Sequence, residues 1–317
     1  MTAAPVANKI HAPSGSAKTQ PLSDADRPYI WIDGELLAKK DAKVSVFDHG
    51  LLYGDGCFEG IRVYKGKIFK CGRHMHRIYR NAKVLRMTMP WTPDECVKAM
   101  RETISANNLV DGYIRLLFTR GVGTLGLDPR KCPKPSMIVI ADQIALYPPE
   151  MYQQGMKVVI AKRPRTPTAC LDPSLKTLNY LNNILAKCEA IDAGCHEAVM
   201  LSTDGYVGEC TGDNLFIVKN GEVFTSPLEV GMLDGITREF VMHTLCKSQG
   251  IKATEKKLRP ADLKSADEMF LTGTAAEMIA VTQVDDAKIG SGTEGPITRK
   301  LRGEFRRIVT SDAIPED

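Results

Sequence analysis

The sequence predicts an α+β protein of two parts, with antiparallel or mixed sheets flanked by helices. Three observations carry that reading. Hairpin turns recur along the chain, helix-period segments alternate with them, and a proline-containing connector follows the middle strand. In order, residues 1 to about 27 are rich in Ala, Ser, Pro, Asp and Thr, and read as a mobile polar tail with neither a signal nor a transit pattern. Order is expected to begin at Tyr29-Ile-Trp-Ile, a strand that turns at Asp33-Gly34. The same device recurs at Val63 to Phe69, at Ala198 to Val207 around Asp204-Gly205, and at Phe216 to Phe224 around Asn220-Gly221. Such hairpins point to antiparallel pairing, not to a parallel doubly wound sheet.

Helices fill the intervals. Thr92-Pro-Asp-Glu95 is a capping box with Pro at the first helical position, opening a helix to about Asn107. Met75 to Leu85 and Leu178 to Ala193 carry apolar residues at helical spacing, the second as Leu181, Ile184, Leu185, Cys188 and Ile191 with Gly194 as its stop. Residues 237 to 249 repeat the pattern and end at Gly250. The connector Leu146-Tyr-Pro-Pro-Glu-Met-Tyr152 follows the apolar strand Met137 to Ala141. The expected division is therefore a smaller α+β domain over 28–142, a connector over 143–152, and a larger α+β domain over 153–317.

Composition narrows the class. The 317 residues are 43% hydrophobic and 25% charged, as in a soluble globular protein. Lys plus Arg is 42 against 38 Asp plus Glu, spread along the chain, so neither a nucleic acid nor a membrane surface is an expected partner. Nine cysteines without a C-x-x-C pair read as reduced thiols in the cytoplasm, not as a disulfide frame or a metal site. No G-x-S-x-G or H-x-x-x-H pattern supports a hydrolase or a zinc enzyme.

Several residues could carry chemistry. Asp234-Gly-Ile-Thr-Arg238 opens a helix, where free N–H groups and a Thr hydroxyl suit a phosphate, although an ordinary cap has the same spelling. Thr272-Gly-Thr-Ala-Ala276 follows the strand Met269-Phe-Leu; its small side chains admit a ligand to the backbone, or simply make a tight turn. Lys176 stands between leucines. An amine among apolar groups gives up its charge readily and then attacks carbonyls, while most such lysines only snorkel to water. Glu209 is either a hairpin carboxylate or the partner of a buried heterocyclic nitrogen, and Arg77 either a solvated helix residue or a phosphate fork.

The order of short motifs is more specific. Tyr53-Gly-Asp-Gly-Cys-Phe-Glu-Gly-Ile-Arg62, His74-Met-His-Arg77, Tyr113-Ile-Arg115, Lys176-Thr-Leu-Asn-Tyr-Leu-Asn-Asn183, Glu209-Cys-Thr-Gly-Asp-Asn-Leu-Phe216, Leu233-Asp-Gly-Ile-Thr-Arg238 and Gly273-Thr-Ala-Ala-Glu277 follow one another from Tyr53 to Glu277. Together they resemble the class IV, fold-type IV, pyridoxal-phosphate aminotransferases, and within them the branched-chain amino acid aminotransferases. The resemblance implies pyridoxal 5'-phosphate as cofactor, held by Lys176 as a Schiff base, with Lys176 also moving the substrate's α-proton. It implies that Glu209 pairs with the pyridine nitrogen and Tyr180 with the phenolic oxygen, and that Leu233 packs on the ring. Arg77, the Ile236 and Thr237 amides, and the Thr237 and Thr274 hydroxyls would form the phosphate cup. For substrate it implies Tyr113 and the Thr274–Ala275 turn at the α-carboxylate, and Phe58, Tyr53 and Tyr180 around the side chain. Arg115 would take the distal carboxylate of glutamate or 2-oxoglutarate.

The implied activity is transamination of Leu, Ile and Val with 2-oxoglutarate. The implied assembly is a homodimer or larger even-numbered homo-oligomer, in which Tyr53 and the Gly121 to Asp128 loop reach the neighbouring site. Two alternatives share the fold: a D-amino acid transaminase and an aminodeoxychorismate lyase. The Lys176-Thr-Leu-Asn-Tyr180 spacing and Thr119-Arg-Gly121 are similar to the D-amino acid enzymes, but their R-x-H clamp is missing. The Phe58-Glu-Gly-Ile-Arg62 and Gly273-Thr-Ala-Ala-Glu277 strings favour the L-branched-chain assignment.

Overall fold

The computed structural model describes residues 23–144 and 147–317. Most of the expected tail, residues 1–22, lies outside the described residues, as do positions 145 and 146 of the connector region. The end of the tail is built into the fold: Ser23 caps a 3-10 turn over Asp24–Asp26, and Arg27 Nε donates to Ala106 O at 2.9 Å. Structure therefore begins before Tyr29, through polar contacts that leave no apolar period to read.

The first sheet comprises β1 (Tyr29–Ile32), β2 (Glu35–Ala38), β3 (Gly56–Tyr64), β4 (Lys67–Ile68), β5 (Gly112–Thr119) and β6 (Ser136–Asp142). Their order is β2-β1-β6-β5-β3-β4, with every neighbouring pair antiparallel. The short helix α1 (His49–Tyr53) leads into β3. Alternate residues Cys57, Ile61 and Val63 of β3 and Ile114, Leu116 and Phe118 of β5 face α2 (Cys71–Val84) and α3 (Pro93–Ala106), forming one core. The capping box of α3 is formed by Thr92 and Glu95, as its sequence predicts. Helix α2 starts at Cys71, ahead of the expected Met75. The carbonyls of Pro315 and Glu316 accept from the Lys70 and Gly72 amides and satisfy the extra turn from far along the chain.

After β6, Pro149–Gln154 forms α4, with Tyr147 and Met151 buried in the second core. Strand β7 (Met156–Ile160) and helix α5 (Leu181–Asp192) precede the rest of the second sheet: β8 (Glu197–Leu201), β9 (Val207–Cys210), β10 (Asn214–Lys219), β11 (Glu222–Thr225), β12 (Ala253–Glu255), β13 (Glu268–Gly273), β14 (Glu277–Val284) and β15 (Ala287–Lys288). The order is β12-β11-β10-β13-β14-β7-β8-β9, with β15 on β14. Strand β7 runs parallel to β14 and β8, and β12 to β11; the other pairs are antiparallel, so this sheet is mixed. Both faces are covered. Leu215, Ile217, Met269 and Leu271 face one core. Phe216, Val218 and Phe270 face another, closed by α6 (Ile236–Phe240), its wider continuation over Val241–Cys246, and α8 (Pro296–Val309), which follows α7 (Pro260–Lys264).

Helix α5 departs from its expected form twice. It begins at Leu181, not Leu178, because residues 176–178 spend their backbone groups on β3. Its periodic apolar stripe also points outward: Leu181 is 65%, Ile184 56% and Ile191 64% exposed. The inner face is instead Ala186 and Ala190, packed on Ala161, Ala198 and Met200. Among the described residues no helix is long and apolar enough to cross a membrane.

Phe216 and Phe270 stack at 4.9 Å in the centre of the second sheet, both fully buried. Phe270→Ala is expected to cost about 3–5 kcal/mol of stability. Denaturant unfolding would read this as a lower midpoint at an unchanged slope.

Candidate active site

The lysine is positioned by backbone pairing. Phe58 N donates to Lys176 O at 3.0 Å and Leu178 N to Gly56 O at 2.9 Å, so residues 176–178 add a rung to β3. The peptide plane of Lys176 is thereby fixed against the first sheet. Its half-buried side chain runs between Tyr180, whose hydroxyl is 3.0 Å from Nζ, and Phe58, whose ring centroid is 4.5 Å from Nζ. The leucines either side in sequence are not what surrounds the amine; aromatic rings are.

Glu209 lies buried on β9. Leu233 N donates to Oε1 at 3.1 Å, Asn214 Nδ2 to Oε2 at 3.0 Å, and the Arg165 guanidinium pairs with Oε1. Burial pushes the Glu209 carboxyl up, and Arg165 and the Leu233 amide act against that rise. Two carboxylate oxygens offer about four acceptor sites, so these three donors leave room for one more.

Arg77 projects from α2 into the same cavity. Its guanidinium is held by Glu59, Nε to Oε1 at 2.6 Å and a terminal nitrogen to Oε2 at 2.7 Å, while the other terminal nitrogen donates to Asp234 O at 2.6 Å. His74 Nδ1 lies 2.7 Å from Glu59 Oε2. Burial pushes the Glu59 carboxyl up, but Arg77 and His74 more than offset that and hold it well below the usual carboxylate range. Burial in turn lowers His74.

Two backbone cradles open into this space. Gly235 at the N-terminus of α6 has no capping side chain, so the first amides of that helix, those of Ile236 and Thr237, lack an intrahelical partner. Between β13 and β14 lies the turn through Thr274 and Ala275. One cavity of about 330 Å³ is lined by Lys176, Glu209, Arg77 and both cradles, together with Tyr180 and Leu233. Phe58, Tyr113, Arg115, Thr237, Thr274 and Ala275 line it too. Tyr113 reaches it because Gly60 has no side chain: a β-carbon there would stand 1.8 Å from the Tyr113 hydroxyl. Arg115 lies over the Phe58 ring, 4.6 Å from its centroid.

Tyr53 is the exception. It does not line the cavity of its own chain; its hydroxyl accepts from Gly126 N at 3.0 Å, and His49 ties the same loop through Thr124 O at 2.9 Å. The sequence reading overlooked Glu59, Arg165 and Asn214. A charge inside the apolar run Cys57 to Val63 is the signal that marks Glu59, since it is buried only with a partner. Arg165 has no such local mark.

A cavity with an amine, a buried carboxylate, a fixed guanidinium and two amide cradles can hold a phosphorylated aromatic group beside a reacting carbonyl. The family model for "Amino-transferase class IV" matches residues 56–284, and the chain belongs to the class IV aminotransferases. Among its relatives, a protein of Methanocaldococcus jannaschii is 48% identical over 90% of this chain and 98% of its own length. The branched-chain-amino-acid aminotransferase of Escherichia coli K12 is 37% identical over 90% of this chain and 94% of its own. The E. coli branched-chain amino acid aminotransferase structure is similar at TM-score 0.87 and 36% identity, over 89% of this chain and 94% of that one. The T.th. branched-chain amino acid aminotransferase with pyridoxamine 5'-phosphate gives 0.86 at 36% identity, over 91% and 95%. That enzyme has also been solved with N-(5'-phosphopyridoxyl)-L-glutamate and with 4-methylvaleric acid, each at TM-score 0.84.

Because Glu59 and Arg77 are both buried, removing one strands the other. Glu59→Gln is expected to cost about 3–5 kcal/mol. The double variant Glu59→Gln/Arg77→Met should recover part of that loss in a thermal-unfolding double-mutant cycle.

Proposed function

We propose that this chain transfers the amino group of branched-chain L-amino acids, Leu, Ile and Val, to 2-oxoglutarate, with pyridoxal 5'-phosphate as cofactor. The products are the branched 2-oxo acids and L-glutamate. The observation that carries the reading is the convergence of Lys176, Glu209, Arg77 and both amide cradles on one cavity. The residues fit the cofactor's three handles. Glu209 has a free acceptor site for a protonated ring nitrogen. Arg77, the uncapped start of α6 and the Thr237 and Thr274 hydroxyls suit a phosphate dianion. The Thr272 hydroxyl beneath them is buried without a partner, as a site built for a polar ligand leaves it.

In this reading Lys176 holds the cofactor through Nζ, Tyr180 bonds its phenolic oxygen, and Leu233 packs on the ring. When bound, the cofactor supplies an electron sink for the bonding pair of the substrate's α-carbon. Lys176 Nζ, when not bonded to the cofactor, would carry the proton between the substrate's α-carbon and the cofactor's C4′, with the Tyr180 hydroxyl at 3.0 Å to orient the amine. Glu209 keeps a positive charge at the ring nitrogen, where electron density arrives. Tyr113 and the Thr274–Ala275 amides hold the α-carboxylate. Phe58 and Tyr180 flank an apolar side chain, and Arg115 at the rim takes a distal carboxylate.

We read residues 28–142 and 153–317 as two domains about the 143–152 connector; each contains one of the two sheets. We also propose self-association as a dimer or larger even-numbered assembly, with Tyr53 and the Gly121 to Asp128 loop completing the neighbour's site. Support comes from exposed apolar side chains in two adjoining places. One is the α5 stripe; the other is Leu51, Leu52, Tyr53, Val122, Leu125 and Leu127. They meet where Asn179 Nδ2 donates to Gly54 O at 2.8 Å. Nine unpaired cysteines suit a reducing cytoplasm.

The test is a single-turnover absorbance experiment on cofactor-loaded protein. The visible band should be lost with L-leucine, restored by 2-oxoglutarate, and unchanged by D-alanine; loss with D-alanine alone would overturn the substrate assignment. Lys176→Ala should fold normally and lose more than about a thousand-fold in turnover. Arg115→Ala should slow the 2-oxoglutarate half-reaction about ten-fold more than the leucine half-reaction. Leu181→Glu/Ile184→Glu should shift the sedimentation coefficient to that of a single chain.

A further inference from the structure

Beside the Gly273–Ala275 turn, the cavity wall carries two buried carboxylates that the chemistry above does not use. Glu197 and Asp213 are 2% and 5% exposed, and both line the cavity with Tyr147 and Lys187. Their surroundings are unequal. Glu197 accepts from the Ala198 amide at 2.8 Å, the Thr211 amide at 3.1 Å and the Thr211 hydroxyl, with Lys187 Nζ at 3.5 Å. Among the described residues Asp213 has the Tyr147 hydroxyl alone, at 3.3 Å from Oδ2. Of the two, Asp213 is the one with little to stabilise a negative charge.

Its position matters more than its partner. The Asp213 carboxyl lies over Gly273, where a β-carbon would stand 2.0 Å from Oδ1 and 3.2 Å from Cγ. One residue earlier is Thr272, whose buried hydroxyl lacks a partner and which lines the same cavity. The titratable groups facing Asp213 are Tyr147 ahead of α4, Tyr152 on α4, Glu197 on β8, Lys187 on α5, and Glu209 and Cys210 on β9. Burial, and next the Glu197 charge, push the Asp213 carboxyl up to about 7.

We propose that Asp213 is a specificity-determining positioning residue: as a neutral acid packed on Gly273 it lets the Thr274–Ala275 turn take a substrate carboxylate, and as an anion it repels that carboxylate. The proposal rests on the reading of the cavity as an amino-acid site and adds a group that sets when the site accepts its ligand. Two anions a few ångströms apart in a partly buried site oppose each other by far more than in water. Lys187, engaged by Glu197, offers Asp213 little relief.

The test uses cofactor-loaded protein and a carboxylate without an amino group, 4-methylvalerate, titrated calorimetrically at about pH 6 and about pH 8.5. Wild-type affinity should weaken about ten-fold across that interval, and Asp213→Asn should bind equally well at both ends. A flat wild type, or an Asn variant with the wild-type slope, overturns the proposal and leaves the aminotransferase reading standing. No binding at any pH overturns the amino-acid reading and the proposal with it. Glu197→Gln provides a second arm: without that charge the transition should move to lower pH, and an unmoved transition overturns the proposal.

Thermal stability gives a readout independent of ligand. A carboxyl raised in the folded state contributes stability below its unfolded value, and that contribution is lost as pH rises through about 7. Asp213→Asn should therefore gain in Tm over wild type as pH rises from about 5 to about 8. A constant difference counts against the neutral acid.

Discussion

The site depends on a short stretch of backbone pairing between residues 176–178 and β3. Phe58 N to Lys176 O and Leu178 N to Gly56 O join the start of the second half to the central hairpin of the first. Backbone pairing fixes a residue more tightly than a side-chain contact, because it sets both the peptide plane and the side-chain direction. With Lys176 held on β3, Phe58 is at once the neighbour of its peptide and the ring beneath its amine. Phe58 and Gly60 of β3 face the cavity, while Cys57, Ile61 and Val63 pack in the core with α2. One strand therefore supplies Phe58 and the Gly60 gap to the site, while Glu59 grips Arg77 from behind.

That arrangement sets the charge order of the cavity. Arg77 enters from α2 already neutralised by Glu59, so it contributes directed donors more than net charge. Glu209 is approached by Arg165, Leu233 N and Asn214, each from a different segment. Both ionic groups are buried, and neither is left alone, which is the condition for keeping them there. Asp213 breaks the rule. Among the described residues it is buried with a single phenol, next to another acid, and at the turn where a ligand's carboxylate would sit. A group so placed is unstable as an anion unless something else in the site relieves it.

Much of this was legible in the sequence where local chemistry dictates structure. The turns at Asp33-Gly34, Asp204-Gly205 and Asn220-Gly221 and the Thr92 capping box need only adjacent residues. The fold class followed from those hairpins and the helix-period segments between them, the family from the order of motifs, and most of the residues so implied do meet in one cavity. What escaped was set by distant partners. The first turn of α2 is satisfied by the carbonyls of Pro315 and Glu316, and Arg165 finds Glu209 across the second half of the chain. Helix α5 shows the opposite error: its leucine period is real but does not say which side is inward. Ala186 and Ala190 decide that, because small side chains let the helix lie close on Ala198 of β8.

The orientation of α5 has a consequence for how the molecule works. Asn183, Ile184 and Lys187 line the cavity, while Leu181, Ile184, Leu185 and Ile191 stand exposed on the same helix. One rigid element therefore forms both a wall of the site and the apolar surface beside it. Ala186 and Ala190 bring the helix close onto Ala198 and Met200 of β8, where a larger side chain would not fit. The outer stripe is held in fixed register with the cavity, and through Asn179 and Gly54 with the loop that Tyr53 clamps. The apolar face and the polar pocket thus share one helix, so a change on either side of α5 is felt on the other.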